Sequence, residues 1–209
     1  MSTIRRPSIV LSAALLAYVV PGVGQTVAYV ASGFSQTVFA ETRAIDTAQS
    51  TLTVYVYKSG LFSAFADDHV IDAPIARGTV SDGAPLAVSL EVKAADLRVR
   101  DPNLSAAKRE EVQMRMVGSE VLDTTAFAAI AFESTSVEAN GADRWKVTGR
   151  LTIHGQTRSV TLAAARANGR YRGTVLLKQR DFGITPISIA GGAVKVKDEL
   201  KIEFDVVAK

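Results

Sequence analysis

From Thr51 onward the chain repeats short runs in which apolar and polar residues alternate, the period-two signature of half-buried strands. In Thr51 to Lys58, Leu52, Val54 and Val56 alternate with Thr53, Tyr55 and Tyr57, so one face is aliphatic and the other amphipathic. The same pattern predicts strands over residues 69–75, 78–81, 86–92, 130–138, 144–153, 159–165, 171–178 and 199–207. Asp82-Gly83, Asn140-Gly141 and Asn168-Gly169 separate several of these runs, and such pairs tolerate the positive φ of tight hairpins. Consecutive strands are therefore expected to lie antiparallel and side by side.

One stretch breaks the alternation. Pro102 ends the strand pattern, Ser105 is placed to cap a helix, and Lys108, Arg109, Glu110 and Glu111 fill its first turns. Val112 with Met116, and Val117 with Val121, fall at helical spacing. The pattern thus predicts one helix over about 105–121, covering one end or side of an otherwise all-β domain. About eight short strands with turns every 8 to 12 residues fit a sandwich or a barrel, and periodicity alone does not choose between them.

Ahead of the strands the pattern is different. Arg5 and Arg6 are the only charged residues before Glu41, and they precede an apolar stretch from Ile9 to Val20 that ends at Pro21-Gly22. This is the order of a secretory signal, and twelve residues are too short to cross about 30 Å of hydrocarbon. Residues 1–40 are accordingly read as an export segment and 41–209 as the folded domain, with periplasmic localisation expected. Small residues suitable for cleavage stand at Gly22, at Gly24 and at Ala40, of which Ala40 is favoured. The alternative is an uncleaved anchor, because uncharged sequence continues to Ala40.

With 47% apolar and 22% charged residues the composition is that of an ordinary globular protein. Of 24 basic and 21 acidic residues, two of the basic ones are Arg5 and Arg6, so the remainder is nearly neutral and carries no basic stripe. Nucleic acid is not an expected partner. The chain has no cysteine, which excludes a disulfide framework, a thiolate nucleophile, a cysteine-based zinc site and a lipoprotein anchor.

Four pieces of the sequence carry a resemblance in register. Gly149-Arg150-Leu151-Thr152-Ile153-His154-Gly155-Gln156-Thr157-Arg158-Ser159-Val160 resembles the "G-x-L-T-I-H-G-x-T-x-x-V" signature of the YceI-like family. Ile45-Asp46 with Ser50 and Leu52-Thr53-Val54 is similar to that family's first strand, with Gln49 where a histidine is usual. Glu120-Val121-Leu122-Asp123 followed by Phe127 and Ile130-Ala131-Phe132-Glu133-Ser134 matches its helix exit, and Asp181-Phe182-Gly183-Ile184 its "D-F-G-I". Asp68-His69-Val70-Ile71 is similar to a "D-H-x-I" branch. The resemblance spans about residues 44–207. It implies an antiparallel lipocalin-like β-barrel that binds a polyisoprenoid or other long-chain amphiphile in an apolar interior, in an exported protein.

An eight-stranded barrel sits near the size at which its lumen either fills with side chains or admits one slender ligand. The alanines of Ala128-Ala129-Ile130-Ala131 and Ala163-Ala164-Ala165 could leave room, or could sit against the helix. Phe62, Phe65, Asp68 and His69 cluster after the first strand and are nominated as ligand-binding residues at a mouth, with a self-packed surface turn as the alternative. Trp145 and Phe182 are nominated as lumen-lining residues, with plain core as the alternative.

No nucleophile or substrate geometry accompanies His154, and His69 with His154 lacks a third metal ligand. Asp181-Phe182-Gly183 has the letters of a kinase triplet without the other kinase motifs. The expectation is a binding or carrier protein and not an enzyme, without catalytic or metal residues. Its ligand would be an isoprenoid or quinone-like lipid. Membrane contact would be transient, or made through an uncleaved N-terminal segment, and a homodimer is allowed. The competing readings are an envelope interaction protein with a packed barrel, and a lipid-acting hydrolase or isomerase built on Asp68, His69 and His154.

Overall fold

The computed structural model describes residues 41–59, 68–81, 83 and 85–209. The export segment, the nominated Phe62 and Phe65, and Asp82 of the first turn pair lie outside the described residues.

Among the described residues twelve strands form one antiparallel sheet. In chain order they are β1 (Thr42–Ala44), β2 (Thr51–Ser59), β3 (His69–Asp72), β4 (Ile75–Ser81), β5 (Ala87–Lys93), β6 (Arg98–Val99), β7 (Ala129–Ala139), β8 (Arg144–Ile153), β9 (Gln156–Ala167), β10 (Arg170–Lys178), β11 (Ser188–Ile189) and β12 (Val194–Val207). The neighbours run β1-β4-β5-β7-β8-β9-β10-β12-β2-β3-β6, with the two-residue β11 pairing beside β12.

That order curls back on itself. β3 pairs with β2 while β4, its continuation beyond Ala73-Pro74, pairs with β5, so one bent strand joins the two ends of the sheet. The expected single strand over 69–75 is therefore corrected. Pro74 has no N–H to give a ladder, so the strand breaks there and changes partner. Counting β3 with β4 as one stave, the ring has eight: β2, β3/β4, β5, β7, β8, β9, β10 and β12. A second tie joins β1 to the end of β12, through the Ile45–Ala208 bridge and hydrogen bonds from Asp46 N–H to Val207 O (2.8 Å) and Lys209 N–H to Ala44 O (2.9 Å).

The hairpins show why the chain turns where it does. Asn168 and Gly169 both have positive φ (52° and 75°) between β9 and β10, as a two-residue primed turn requires. His154 (50°) and Gly155 (69°) do the same between β8 and β9, so His154 is a turn residue, its ring 4.4 Å from that of Phe127. Two interior glycines seat large neighbours. A methyl group at Gly149 would overlap the Phe132 ring, and one at Gly173 would overlap both the Phe204 ring and Ala163 O.

The one α-helix, α1, runs Ala106–Val117, shorter than the expected 105–121. Ser105 is its N-cap, its Oγ accepting from Lys108 N–H. Gly118 ends it, and residues 118–124 continue as hydrogen-bonded turns, with Leu122 N–H bonding Met116 O (3.1 Å) and Asp123 N–H bonding Gly118 O (2.8 Å). The Gln113 side chain holds α1 to β6, accepting from Val99 N–H and donating to Leu97 O, both at 2.9 Å.

Candidate functional site

Alternation places Leu52, Val54 and Val56 of β2 on the inside of the ring, opposite Phe204, Ile202 and Leu200 of β12. These side chains face the ring interior and yet remain half-buried. They are exposed to a cavity of about 260 Å³ that every stave of the barrel lines. Its walls are valine, leucine, isoleucine and phenylalanine. Among the described residues, Ser81, Gln179, Tyr171 and Trp145 are the only lining ones with a nitrogen or oxygen in the side chain. A dry apolar hollow of about 150 Å³ already accepts benzene, so this one has room for a slender hydrocarbon.

The hollow does not come from the alanine runs. Only Ala164 among the expected alanines lines it, whereas Ala128, Ala129, Ala163 and Ala165 are exposed on the outside. The room is geometric: inward valines and leucines on eight staves are too short to meet across the ring.

One end of the hollow is closed. Met116 of α1, Leu122 of the following turn, Leu97 before β6, and Phe182 and Ile184 after β10 form a floor whose residues are only 2–8% exposed. The chain enters this floor from β10 through a single 3-10 turn, Gln179–Phe182, which Gly183 terminates at φ 73°. Gln179 Nε2 donates to Lys197 O (2.8 Å), fixing the turn to β12.

The other end is built by the hairpin turns at Asn140-Gly141 and Asn168-Gly169. Here Trp145 and Tyr171 line the cavity on adjoining rungs, half-buried, with ring centroids 5.7 Å apart. The Arg166 guanidinium lies over the Tyr171 ring at 5.6 Å, and Arg43 Nη2 donates to the Tyr171 hydroxyl at 3.2 Å.

The nominated residues thus divide. Trp145 and Phe182 both line the cavity, one at the rim and the other in the floor. His69 and Asp68 belong to the floor end and are not among the lining residues. The Asp68 carboxylate accepts from Lys58 N–H (2.8 Å) and so closes the start of the β2–β3 hairpin. His69 Nδ1 lies 2.6 Å from Asp101 Oδ2, and Asp101, 3% exposed, also accepts from Val70 N–H at 2.7 Å. This pair fastens β3 to the segment leading into α1. Among the described residues no group of three metal-ligating side chains occurs.

Among the described residues that line the cavity none is charged. On the outside of β10 and β12, Arg170 Nε (2.6 Å) and Arg172 Nε (2.9 Å) clasp Asp205. Burial pushes the Asp205 carboxyl up, but the hydrogen bonds and charges of the two arginines outweigh it and hold the acid below its ordinary value. Beside it, hydrogen bonds from Lys201 and Tyr55 hold Glu203 low, and the bond to Glu203 raises the Tyr55 phenol.

Fold and site together define a small antiparallel barrel, lipocalin-like in architecture, wrapped around one apolar lumen. The chain belongs to the YceI-like family: the family model for the YceI-like domain matches residues 44–208. A UPF0312 protein of Vibrio cholerae serotype O1 is 26% identical over 176 aligned residues, covering 68% of this chain and 89% of the relative. One of Shewanella sp. (strain W3-18-1) is 31% identical over 140 residues, covering 62% and 65%. Among solved structures, the crystal structure of Burkholderia cenocepacia BcnA is similar with a TM-score of 0.61 at 19% identity, covering 79% of this chain and 99% of that one, a likeness of fold.

Proposed function

We propose that this protein binds one long apolar small molecule, of isoprenoid or quinone type, along the barrel lumen and leaves it chemically unchanged. The observation that carries this reading is the hollow itself: a cavity of about 260 Å³ whose walls are hydrocarbon from every stave, with inward side chains left half-buried. Apolar surface exposed to an empty space forfeits dispersion contacts that a guest would restore. Each five-carbon isoprene unit transferred from water contributes about 4 kcal/mol gross, at about 0.8 kcal/mol per carbon. Association and ordering of the chain take back several kcal/mol or more, which leaves micromolar binding within reach. Trp145 and Phe182 are the nominated residues that would touch the guest, at its two ends. A packed-barrel interaction protein gains no support from a hollow of this size. The export segment and an envelope location belong to the same proposal, since a carrier of membrane-derived lipid works beside the membrane.

The test is organic extraction of the protein purified from a bacterial envelope fraction, followed by mass spectrometry. A stoichiometric lipid of prenyl or quinone type, with unaltered mass after incubation, is the expected result. Protein that extracts empty and ignores added prenyl compounds would overturn the reading.

A further inference from the structure

The length and the bore of the lumen together limit how much chain it holds. At about 3.4 Å per residue the inward run from Tyr171 to Leu177 on β10 is roughly 20 Å of strand, and the tilt of barrel staves leaves roughly 15 Å of it along the axis. A hollow of about 260 Å³ drawn out over that length averages about 17 Å² in section. Carbon atoms in contact stand about 3.5–4.0 Å apart, so one extended hydrocarbon takes up about 10–13 Å², and two side by side need more than is there. The bore is therefore single file, and a chain cannot double back inside it.

Two features of the wall and floor hold those dimensions. Gly149 and Gly173 stand at inward positions of β8 and β10, and the Phe132 and Phe204 rings lie back over them, so both rings run along the wall instead of across the lumen. At the floor Phe182, Ile184, Met116 and Leu97 are only 2–6% exposed, and such a packed stop leaves no space into which a chain tip can advance. An apolar hollow of about 150 Å³ accepts the six carbons of benzene, so this one has capacity for about ten carbons, or two isoprene units.

We propose that the lumen gauges chain length: it takes about two isoprene units of a prenyl tail in single file, halts the tip at Phe182, and leaves any further units outside, beyond Trp145. The inference rests on the lumen reading above and adds the size class of the tail that the lumen selects. Units inside exchange water for hydrocarbon walls, whereas units outside keep their water and add nothing. Affinity therefore climbs with chain length only until the tip meets the stop. Phe182 is the specificity-determining residue of this limit, because it closes the floor on the path of the tip.

Trp145 is the single tryptophan of the chain and lines the cavity, so its fluorescence reports occupancy directly. The full-length protein is titrated with prenol, geraniol, farnesol and geranylgeraniol, alcohols of one to four isoprene units. In the wild type, geraniol should bind about tenfold or more tightly than prenol, and geranylgeraniol within about threefold of farnesol. Phe182→Ala, which draws back the stop, should raise the ratio of farnesol to geraniol affinity about tenfold. Val175→Phe adds a ring midway along the bore, where space is already empty, so its folding does not depend on the floor. It should cut the gain from prenol to geraniol to less than about threefold. A wild-type gain of about tenfold from farnesol to geranylgeraniol, or ratios that neither variant moves, would overturn the gauge while leaving the lumen reading intact. If none of the four alcohols binds and extraction also yields nothing, the lumen reading fails and the gauge with it.

Discussion

The two ends of the barrel are made from the same alternating strands and behave differently. At the floor, α1, the turn after it and the Gln179–Phe182 segment close over the lumen, and buried polar groups such as Asp101 and Gln179 have their partners. At the rim, β9 and β10 are joined by the two-residue turn Asn168-Gly169 and β7 and β8 by residues 140–143, and there Trp145 and Tyr171 stay half-buried with a cation at the edge. The helix and the 3-10 segment between strands close the floor, whereas hairpin connections edge the rim. Stability should therefore concentrate at the floor and ligand recognition at the rim.

The largest expected effect tests that division. Phe182→Ala removes a ring that is 2% exposed and should cost about 3–5 kcal/mol in chemical denaturation. Trp145→Ala, which empties space already next to a hollow, should cost less than about 2 kcal/mol while weakening prenyl binding. Equal destabilisation by the two would break the comparison. Next comes Asp101→Ala, which strands the Val70 N–H and the His69 ring and should cost about 1–3 kcal/mol. Asp101→Asn, which can still accept from Val70, should cost less. Ser105→Ala removes the cap of α1 and should cost about 1 kcal/mol, with rim ligand affinity unchanged.

The smallest effect lies in pH. Asp205 titrates below its ordinary value in the fold, so its contribution is complete above the unfolded carboxyl value near 3.9 and is lost as the pH falls through the lower folded one. Asp205→Asn should thus flatten the acid limb of the stability curve below about pH 4 and leave the neutral region's slope unchanged. An unchanged acid limb in thermal melts would mean that the Arg170–Asp205–Arg172 clasp adds nothing.

Much of this architecture was legible from residue order. β8 begins at Arg144 and ends at Ile153 as its alternation predicts, because a valine, leucine or other inward residue recurs at every second position and His154-Gly155 stops it. β12 starts five residues earlier than expected, at Val194, since Lys195 and Lys197 face outward and a register shift between Val196 and Leu200 interrupts the pattern. The two- and three-residue strands β1, β6 and β11 are too short to leave a periodic trace. At the site, Trp145 and Phe182 were readable as large apolar residues on or beside strands. His69 was not, because its partner Asp101 lies 32 positions away and only the folded chain brings them together. Arg166 carries no motif or apolar signal of its own, although its parity is in the sequence: it stands two residues beyond Ala164, on the inward face. A rim cation looks like surface until the strands on either side fix where the surface begins.

The final strand has a consequence for how the lumen comes to exist. β12 supplies the last stave, and its fourteen residues lie between β2, among the earliest parts of the domain, and β10. Until those residues insert, the other staves make only an open, curved sheet with an oily concave side facing water. The container closes only when this strand pairs on both sides, so assembly should be slow, all-or-none with respect to β12, and receptive to a hydrophobic guest in the interval before the seam shuts.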